Sequence, residues 1–287
     1  MRYALGFFFT IIFIFSFGSN ASACRFNVRD VGFVHLDKAP YRLYGYYNNT
    51  TPKNRVSDFQ QIAMANCIES NIVAEFVNVE EEAAHPGLAY YNKSILPALP
   101  GAMFVSPDGQ TRPVKIQADG RPFKKAVWDA MRPLLHSPLR EKILRAVIDS
   151  YAVILLVEGR DKRENAMAQK DIKNAITEIE GQMDFLPKPI KNPPQCIVLP
   201  QEKQEQEEVL LWSLGLEPYA IKDPVAFVLY GRGRRMGPAM RHQSLTHEQI
   251  RKRLGLIGLS CECGLDRSWM QGAMIPHQWD ISLQKKV

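Results

Sequence analysis

The signatures of several large enzyme classes are missing from this chain. It has no HExxH pair of histidines to hold a catalytic zinc on one helix face, and no GxSxG elbow to present a serine nucleophile. Its one glycine- and arginine-rich stretch, Gly-Arg-Gly-Arg-Arg at 231–235, lacks the Lys-Ser/Thr pair of a phosphate-binding loop. That stretch reads as the turn of a hairpin rather than the lead-in to a helix, so nucleotide binding is not expected. Long apolar runs are scarce as well: beyond residue 23 nothing approaches the roughly 20 apolar residues that cross a bilayer. Metal-type ligands are thin. Six histidines, His35, His85, His136, His242, His247 and His277, are scattered, and there are only five cysteines. Glu80-Glu81-Glu82 with His85 has the chemistry to hold a cation, but a run of this kind more often forms a solvated loop.

What is present is a globular composition, 46% hydrophobic and 23% charged over 287 residues, enough for about two domains. The N-terminus stands apart. One arginine precedes an apolar run from Leu5 to Phe17, and Ala21-Ser22-Ala23 follows. A basic start, an apolar stretch too short to span a membrane and a small-x-small exit are the parts of a secretory signal peptide over residues 1–23. Cleavage after Ala23 would place Cys24 first, where lipidation is one outcome, although Ala21 stands where lipoprotein signals prefer leucine. A retained anchor is the alternative. Asn49-Thr50-Thr51 and Asn92-Lys93-Ser94 fit the glycosylation pattern, which has meaning only in a eukaryotic secretory route.

Export into a periplasm or cell envelope would permit disulfides. Cys24, Cys67, Cys196, Cys261 and Cys263 all lie beyond the signal, and their odd number leaves at least one free, lipidated, metal-bound or paired elsewhere. Cys67 and Cys196 fit silent core thiols. The net charge of +6 is concentrated in Arg232, Arg234, Arg235 and Arg241, with Arg251-Lys252-Arg253 after them. An exported protein has no nucleic acid to meet. Arg232, Arg234 and Arg235 are therefore candidates for an acidic envelope protein or an anionic membrane surface, with association peripheral or through a lipid. An ordinary solvated face is the plainer reading of such a run.

Periodicity gives the layout. The segment from Phe26, FNVRDVGFVHL, alternates like a strand, with Arg29-Asp30 inside it as a possible interdomain contact. The tyrosine-rich YRLYGYYN reads as a strand end or loop. A helix with a serine cap is expected over 57–70, a strand at NIVAEFVNVE, a hairpin over 102–116 through SPDGQ, and a helix over 123–135. The second half offers a helix over 139–150 and YAVILLVEG, a wholly apolar strand of the kind buried on both faces. A helix over 162–183, the short strand CIVLP, a helix over 204–214, the hairpin DPVAFVLYGRGRRMGPAMR and a helix capped by Thr246 follow. The expected division is 24–136, 137–260 and a cysteine-containing tail over 261–287 packed on the second unit. A single larger α/β domain is the alternative.

The repeated order β-α-β-α-β-β-α resembles the thioredoxin fold, twice over: an α/β protein with two thioredoxin-like domains in tandem, each a mixed sheet flanked by helices. The likeness is clearest at PALPGAMFVSPDGQ and DPVAFVLYGRGRR, and it places Pro100 and Pro224 at the position of the cis-proline that precedes the third strand and faces the active-site cysteines. The sequence departs from the family where chemistry is concerned. No Cys-x-x-Cys follows either first strand, so disulfide exchange at the usual site is not implied. The chain also resembles exported bacterial proteins carrying Cys-x-Phe-Asn-Val-Arg-Asp near the N-terminus and Cys-x-Cys-Gly-Leu-Asp-Arg near the C-terminus, a likeness that implies no established activity.

Cys261-Glu262-Cys263 leaves three readings open. Two thiolates on a turn could hold copper or zinc, with Cys24, Asp266, Met270, Met274 or His277 completing the shell. They could form a strained, reducible pair, with Arg267 favouring the thiolate. One of them could bond Cys24 or Cys196 and staple the tail. The leading expectation is an exported thioredoxin-like binding or assembly factor with structural or metal-binding cysteines. The alternative is a thiol oxidoreductase or copper-handling protein using Cys261 and Cys263.

Overall fold

A computed structural model describes residues 27–34, 39–186, 188–259 and 272–287. The signal peptide, Cys24, Cys261, Cys263, Asp266, Arg267, Trp269 and Met270 lie outside those residues.

Two mixed sheets repeat one plan. In the first, β1 (Tyr41–Tyr47) runs into helix α2 (Lys53–Cys67) and returns as β2 (Ile72–Asn78), parallel to β1 with Tyr41 opposite Ile72. A connection with a short 3-10 turn (Pro86–Tyr90) leads to β3 (Gly101–Val105) and β4 (Thr111–Val114), which form an antiparallel hairpin, and then to α3 (Phe123–Leu135). The order across the sheet is β2-β1-β3-β4. The second sheet has β5 (Val153–Val157), α5 (Lys162–Glu180), β6 (Gln195–Leu199), α6 (Glu208–Ser213), β7 (Val225–Tyr230), β8 (Arg234–Arg235), β9 (Met240–Arg241) and α7 (His247–Ile257). Its order is β6-β5-β7-β8, with β9 also on β7. In both, the first strand is central, parallel to the second and antiparallel to the third. This is a tandem of thioredoxin-like sheets.

Local chemistry explains the helix starts. Helix α4 (Pro138–Asp149), just before β5, begins with Pro138 behind Ser137, whose hydroxyl accepts from Arg140 N at 3.1 Å. Asp161 caps α5 through Arg163 N at 2.7 Å, and Thr246 caps α7. Helix α2 starts four residues earlier than its serine suggested, directly after Pro52.

Side-chain alternation then sorts the cores. Tyr41, Leu43, Ala102 and Phe104 meet α2 and α3 through Phe59, Ala63, Val127 and Met131, whereas Tyr44, Tyr46, Met103 and Val105 face the connection over 79–99. In the second unit Val153, Leu155, Val157 and Phe227 meet α4 and α6, and Ile154, Leu156, Ala226 and Val228 meet α5 and α7. Burial on both faces is why β5 and β7 are apolar throughout.

Three expectations are corrected. FNVRDVG is not a strand: Val28–Val31 is one helical turn, α1, with Asn27 Oδ1 accepting from Asp30 N at 2.7 Å. Its valines are three apart and bury one side of a turn. It packs on the second unit, where Arg29 donates to the carbonyls of Ile148 (2.8 Å) and Ser150 (3.1 Å) at the C-terminal end of α4, a place that favours a cation. YRLYGYY is a full inner strand of the first sheet rather than a strand end or loop. Finally, the C-terminal segment does not simply cover the second unit. Residues 272–279 form a strap across both, bridging Met274 to Arg234 and Gln278 to Ser70.

Candidate functional site

The position after the first strand, at the start of the following helix, is where this fold brings reactive groups together. In the first unit it is Asn48-Asn49-Thr50-Thr51-Pro52. Thr51 Oγ1 donates to Asn48 Oδ1 at 2.7 Å and accepts from Asn48 N at 3.1 Å. Asn49 N donates to Glu80 Oε2 at 2.9 Å, and Asn78 Nδ2 donates to Asn49 Oδ1 at 2.8 Å. The result is a turn with neither a thiol nor an ionisable side chain of its own, held by amide and hydroxyl groups and by the Glu80 carboxylate. The register pairs Tyr46 with Gly101, so Pro100 stands beside the end of β1, and the Leu99–Pro100 bond is cis. Beneath lie stacked tyrosines: Tyr44 on Tyr90 with centroids 5.6 Å apart, and Tyr46 against Tyr91 at 5.0 Å. Tyr46 Oη donates to Gly87 O at 2.7 Å, and burial holds its pKa well above the usual range, so it is a structural hydroxyl.

The matching position in the second unit is filled by the protein itself. Arg160 N donates to Lys222 O at 2.7 Å, and Gln204 Nε2 donates to Glu158 O at 2.6 Å. Asn165 closes the loop from below, accepting from Gly159 N at 2.8 Å and donating to Gly159 O at 3.0 Å. A Cβ on Gly159 would strike the Lys222–Asp223 backbone. The segment in contact is the one leading into Pro224, and among the described residues only Leu99–Pro100 is cis. The expectation of a second cis-proline at Pro224 is therefore corrected: the two prolines share a place in the fold, not a bond geometry.

The thiols stand apart from both positions. Cys67, at the end of α2, is half-buried and free, and burial pushes its pKa up to about 11 against a weak opposing bond from Ser70. Cys196 is free among the described residues and exposed on β6, opposite Ile154, which corrects its reading as a core thiol: it lies at the start of the outer strand of the second sheet. Among the described residues no cluster of three His, Cys, Asp or Glu side chains has metal-binding geometry.

Of the three arginines of the β7–β8 turn, Arg234 is buried and so is no surface anchor, whereas Arg232 and Arg235 are part-exposed. Gly231, at φ 55°, lies against the backbone of Gly32, leaving no room for a side chain. Arg232 N donates to Gly32 O at 3.1 Å, and its guanidinium sits 5.4 Å from the Trp279 ring centroid. Arg234 is 0% exposed. Arg253 is buried too, and donates to the carbonyl of Pro238. Arg241 and Lys252 do face solvent.

The seam between the units is the most connected polar region. Tyr41 Oη donates to Met274 O at 2.8 Å, Asn71 Nδ2 to Ile275 O at 2.9 Å, His277 N to Asn71 Oδ1 at 2.9 Å and Trp279 N to Glu69 O at 2.7 Å. On the other side Arg235 N donates to Ala273 O at 3.2 Å and Ile275 N to Gly233 O at 3.0 Å. Arg140 is the hub. It donates to Leu134 O at 2.7 Å, Pro276 O at 2.9 Å, the Pro133 carbonyl and the Ser137 hydroxyl, tying α3, α4 and the strap together. Burial lowers its pKa to about 10, opposed by nearby Glu207, so it stays charged. Arg140 was missed in the sequence, yet its spacing from Ile143, Leu144 and Val147 puts it on the buried face of α4. His277, weighed above as a metal ligand, lies inside the strap: Nδ1 donates to Ile275 O at 2.7 Å, and the ring meets Trp279 edge-on at 5.8 Å. Burial, helped by Arg232, Arg140 and Arg234, holds its pKa down at about 4.

No family model matches the chain, and no curated protein matches it. Among solved structures it is similar to the first two thioredoxin domains of Saccharomyces cerevisiae Eps1p, at 12% identity over 75% of this chain and 91% of that one, with a TM-score of 0.28. It is also similar to human ERp44 in its zinc-bound form, at 10% identity over 77% of this chain and 62% of that one, again with a TM-score of 0.28. The fold assignment rests on strand order and register, not on these likenesses.

Proposed function

We propose that the protein is an exported, thioredoxin-like binding or assembly factor of the cell envelope that carries out no disulfide exchange at the fold's usual positions. One observation carries the reading: both strand-to-helix junctions, residues 48–52 and 158–161, are built from hydrogen-bonded turns without a thiol. In this reading Cys24 and the Cys261/Cys263 pair are structural. Their tethers support it. Val28 N donates to Leu259 O at 3.1 Å, Cys24 precedes Val28 by four residues and Cys261 follows Leu259 by two, so a crosslink between them is well within reach of the chain. Such a bond would close a loop of more than two hundred residues and would stabilise by about 2–5 kcal/mol. The likeness to exported bacterial proteins with the same two cysteine-bearing stretches fits this arrangement, as do the solvent-facing Arg241 and Lys252, which would face an acidic partner or anionic lipid.

Peptide mapping of protein recovered from an oxidising compartment tests the proposal. The expected result is Cys24 linked to Cys261 or Cys263, with no copper or zinc bound. Reductase turnover of a protein disulfide, lost in Cys261→Ser or Cys263→Ser, would replace this reading with a thiol oxidoreductase. Stoichiometric copper or zinc with all five thiols unlinked would replace it with a metal-binding protein.

A further inference from the structure

The strap, β1 and β8 enclose a cleft of about 200 Å³ whose walls include Tyr41, Asn71, Val73, Pro107, Arg234 and Met274. Most of that wall is apolar. Arg234 is the exception: a guanidinium with 0% exposure whose Nε has no hydrogen-bond partner. Its other nitrogens find only long contacts, Nη1 to Gly272 O and Nη2 to Val34 O, both at 3.4 Å, and Nη2 to Met274 Sδ at 3.8 Å. No ion pair joins it to a carboxylate among the described residues. Burial lowers its pKa, opposed by nearby Tyr230 and helped by another cation, Arg232. A buried cation that finds no anion among the described residues costs several kcal/mol, and a thioether is a weak acceptor on a flexible side chain that moves aside readily. Arg140, in the same seam, shows the contrast: it is equally buried but saturated with carbonyls and close to Glu207.

We propose that this cleft binds a carboxylate with a short apolar body. The carboxylate replaces the Met274 sulfur at Arg234, and the apolar body lies against Val73, Pro107 and Met274. Two sources share that chemistry: a free short-chain fatty acid, and the C-terminal carboxylate of a polypeptide ending in an apolar residue. The inference is independent of how the cysteines are linked.

Titration calorimetry on the full chain, at fixed ionic strength, uses hexanoate for the first source, N-acetyl-leucine for the second and neutral hexanamide as control. Saturable binding of a carboxylate, with hexanamide and Arg234→Met each weaker by about tenfold or more, supports the site; that factor corresponds to the 1.4 kcal/mol scale of one charge-assisted hydrogen bond. Tighter hexanoate points to the free acid and tighter N-acetyl-leucine to a chain end. Without ligand, Arg234→Met should melt no lower than wild type, because it removes a buried charge that has no ion pair among the described residues. Should that variant not fold, Val73→Trp fills the cleft from the opposite wall and should abolish binding with Arg234 intact. No binding of either carboxylate, equal binding of hexanamide, or undiminished binding by Val73→Trp overturns the proposal.

Discussion

The two units share a topology and differ at the corresponding junction. After β1 the chain makes a self-contained turn, with Thr51 and Asn48 bonded to one another and Pro100 beside it. After β5 the chain is bonded outward, Arg160 to Lys222 and Glu158 to Gln204, so the junction is plugged by the lead-in to β7. The cores differ in the same sense. The second sheet has helices on both faces, whereas one face of the first is covered by an aromatic-rich connection. The first unit's junction is closed by its own side chains and the second's by the lead-in to β7; the second unit also carries α1, and the strap crosses both.

The sharpest way to break this division of labour is to uncouple the units. Arg140→Ala should destabilise by about 3–5 kcal/mol, since it strands buried carbonyls from α3 and the strap along with Glu207. Urea unfolding should then lose its single transition and show the two units separately. The strap should also respond to acid. His277 is neutral in both states above pH 6.5; between 6.5 and about 4 the unfolded chain binds a proton that the folded one refuses. Stability should therefore fall through that window, by about 3 kcal/mol at most, and His277→Asn should flatten the profile measured by urea midpoint against pH. At the plugged junction, Gly159→Ala forces the loop away from Lys222–Asp223 and should cost about 1–3 kcal/mol. At the self-contained junction, Thr51→Ala removes one side chain's bonds and should cost about 1 kcal/mol. Comparable losses at Gly159 and Thr51, read from thermal melts, would erase the distinction drawn between the two junctions.

Legibility in the sequence followed the range of the interactions. The β3–β4 hairpin with its Asp-Gly turn, the cap at Thr246 and the apolar β5 are set by neighbours along the chain, and each was readable. The tandem of thioredoxin-like sheets followed from their order. What escaped depends on distant partners. Val28 and Val31 are three apart, as one face of a helical turn requires, but the charges between them hid this, because Arg29 finds its acceptors on α4, more than a hundred residues later. YRLYGYY carries a glycine, Gly45, whose place in a central strand is visible only where Phe59 and Phe76 pack on it. The arginines of the β7–β8 turn looked solvated because nothing local shows that Gly32 and the strap would cover them. Pro100 and Pro224 occupy like places in the sequence, and only the backbone tells them apart.

The placement of α1 and the strap imposes an order on assembly. Domains generally fold as units, N-terminal first, while the chain is being made. Here residues 27–34 have no home until β7 and α7 exist, and the halves cannot be fastened until residues 272–279 have left the ribosome. The earliest segment waits for the latest. The acid-sensitive seam, the Arg140 hub and the cleft at Arg234 all draw on residues of the strap, so they come into being together, when it is laid down.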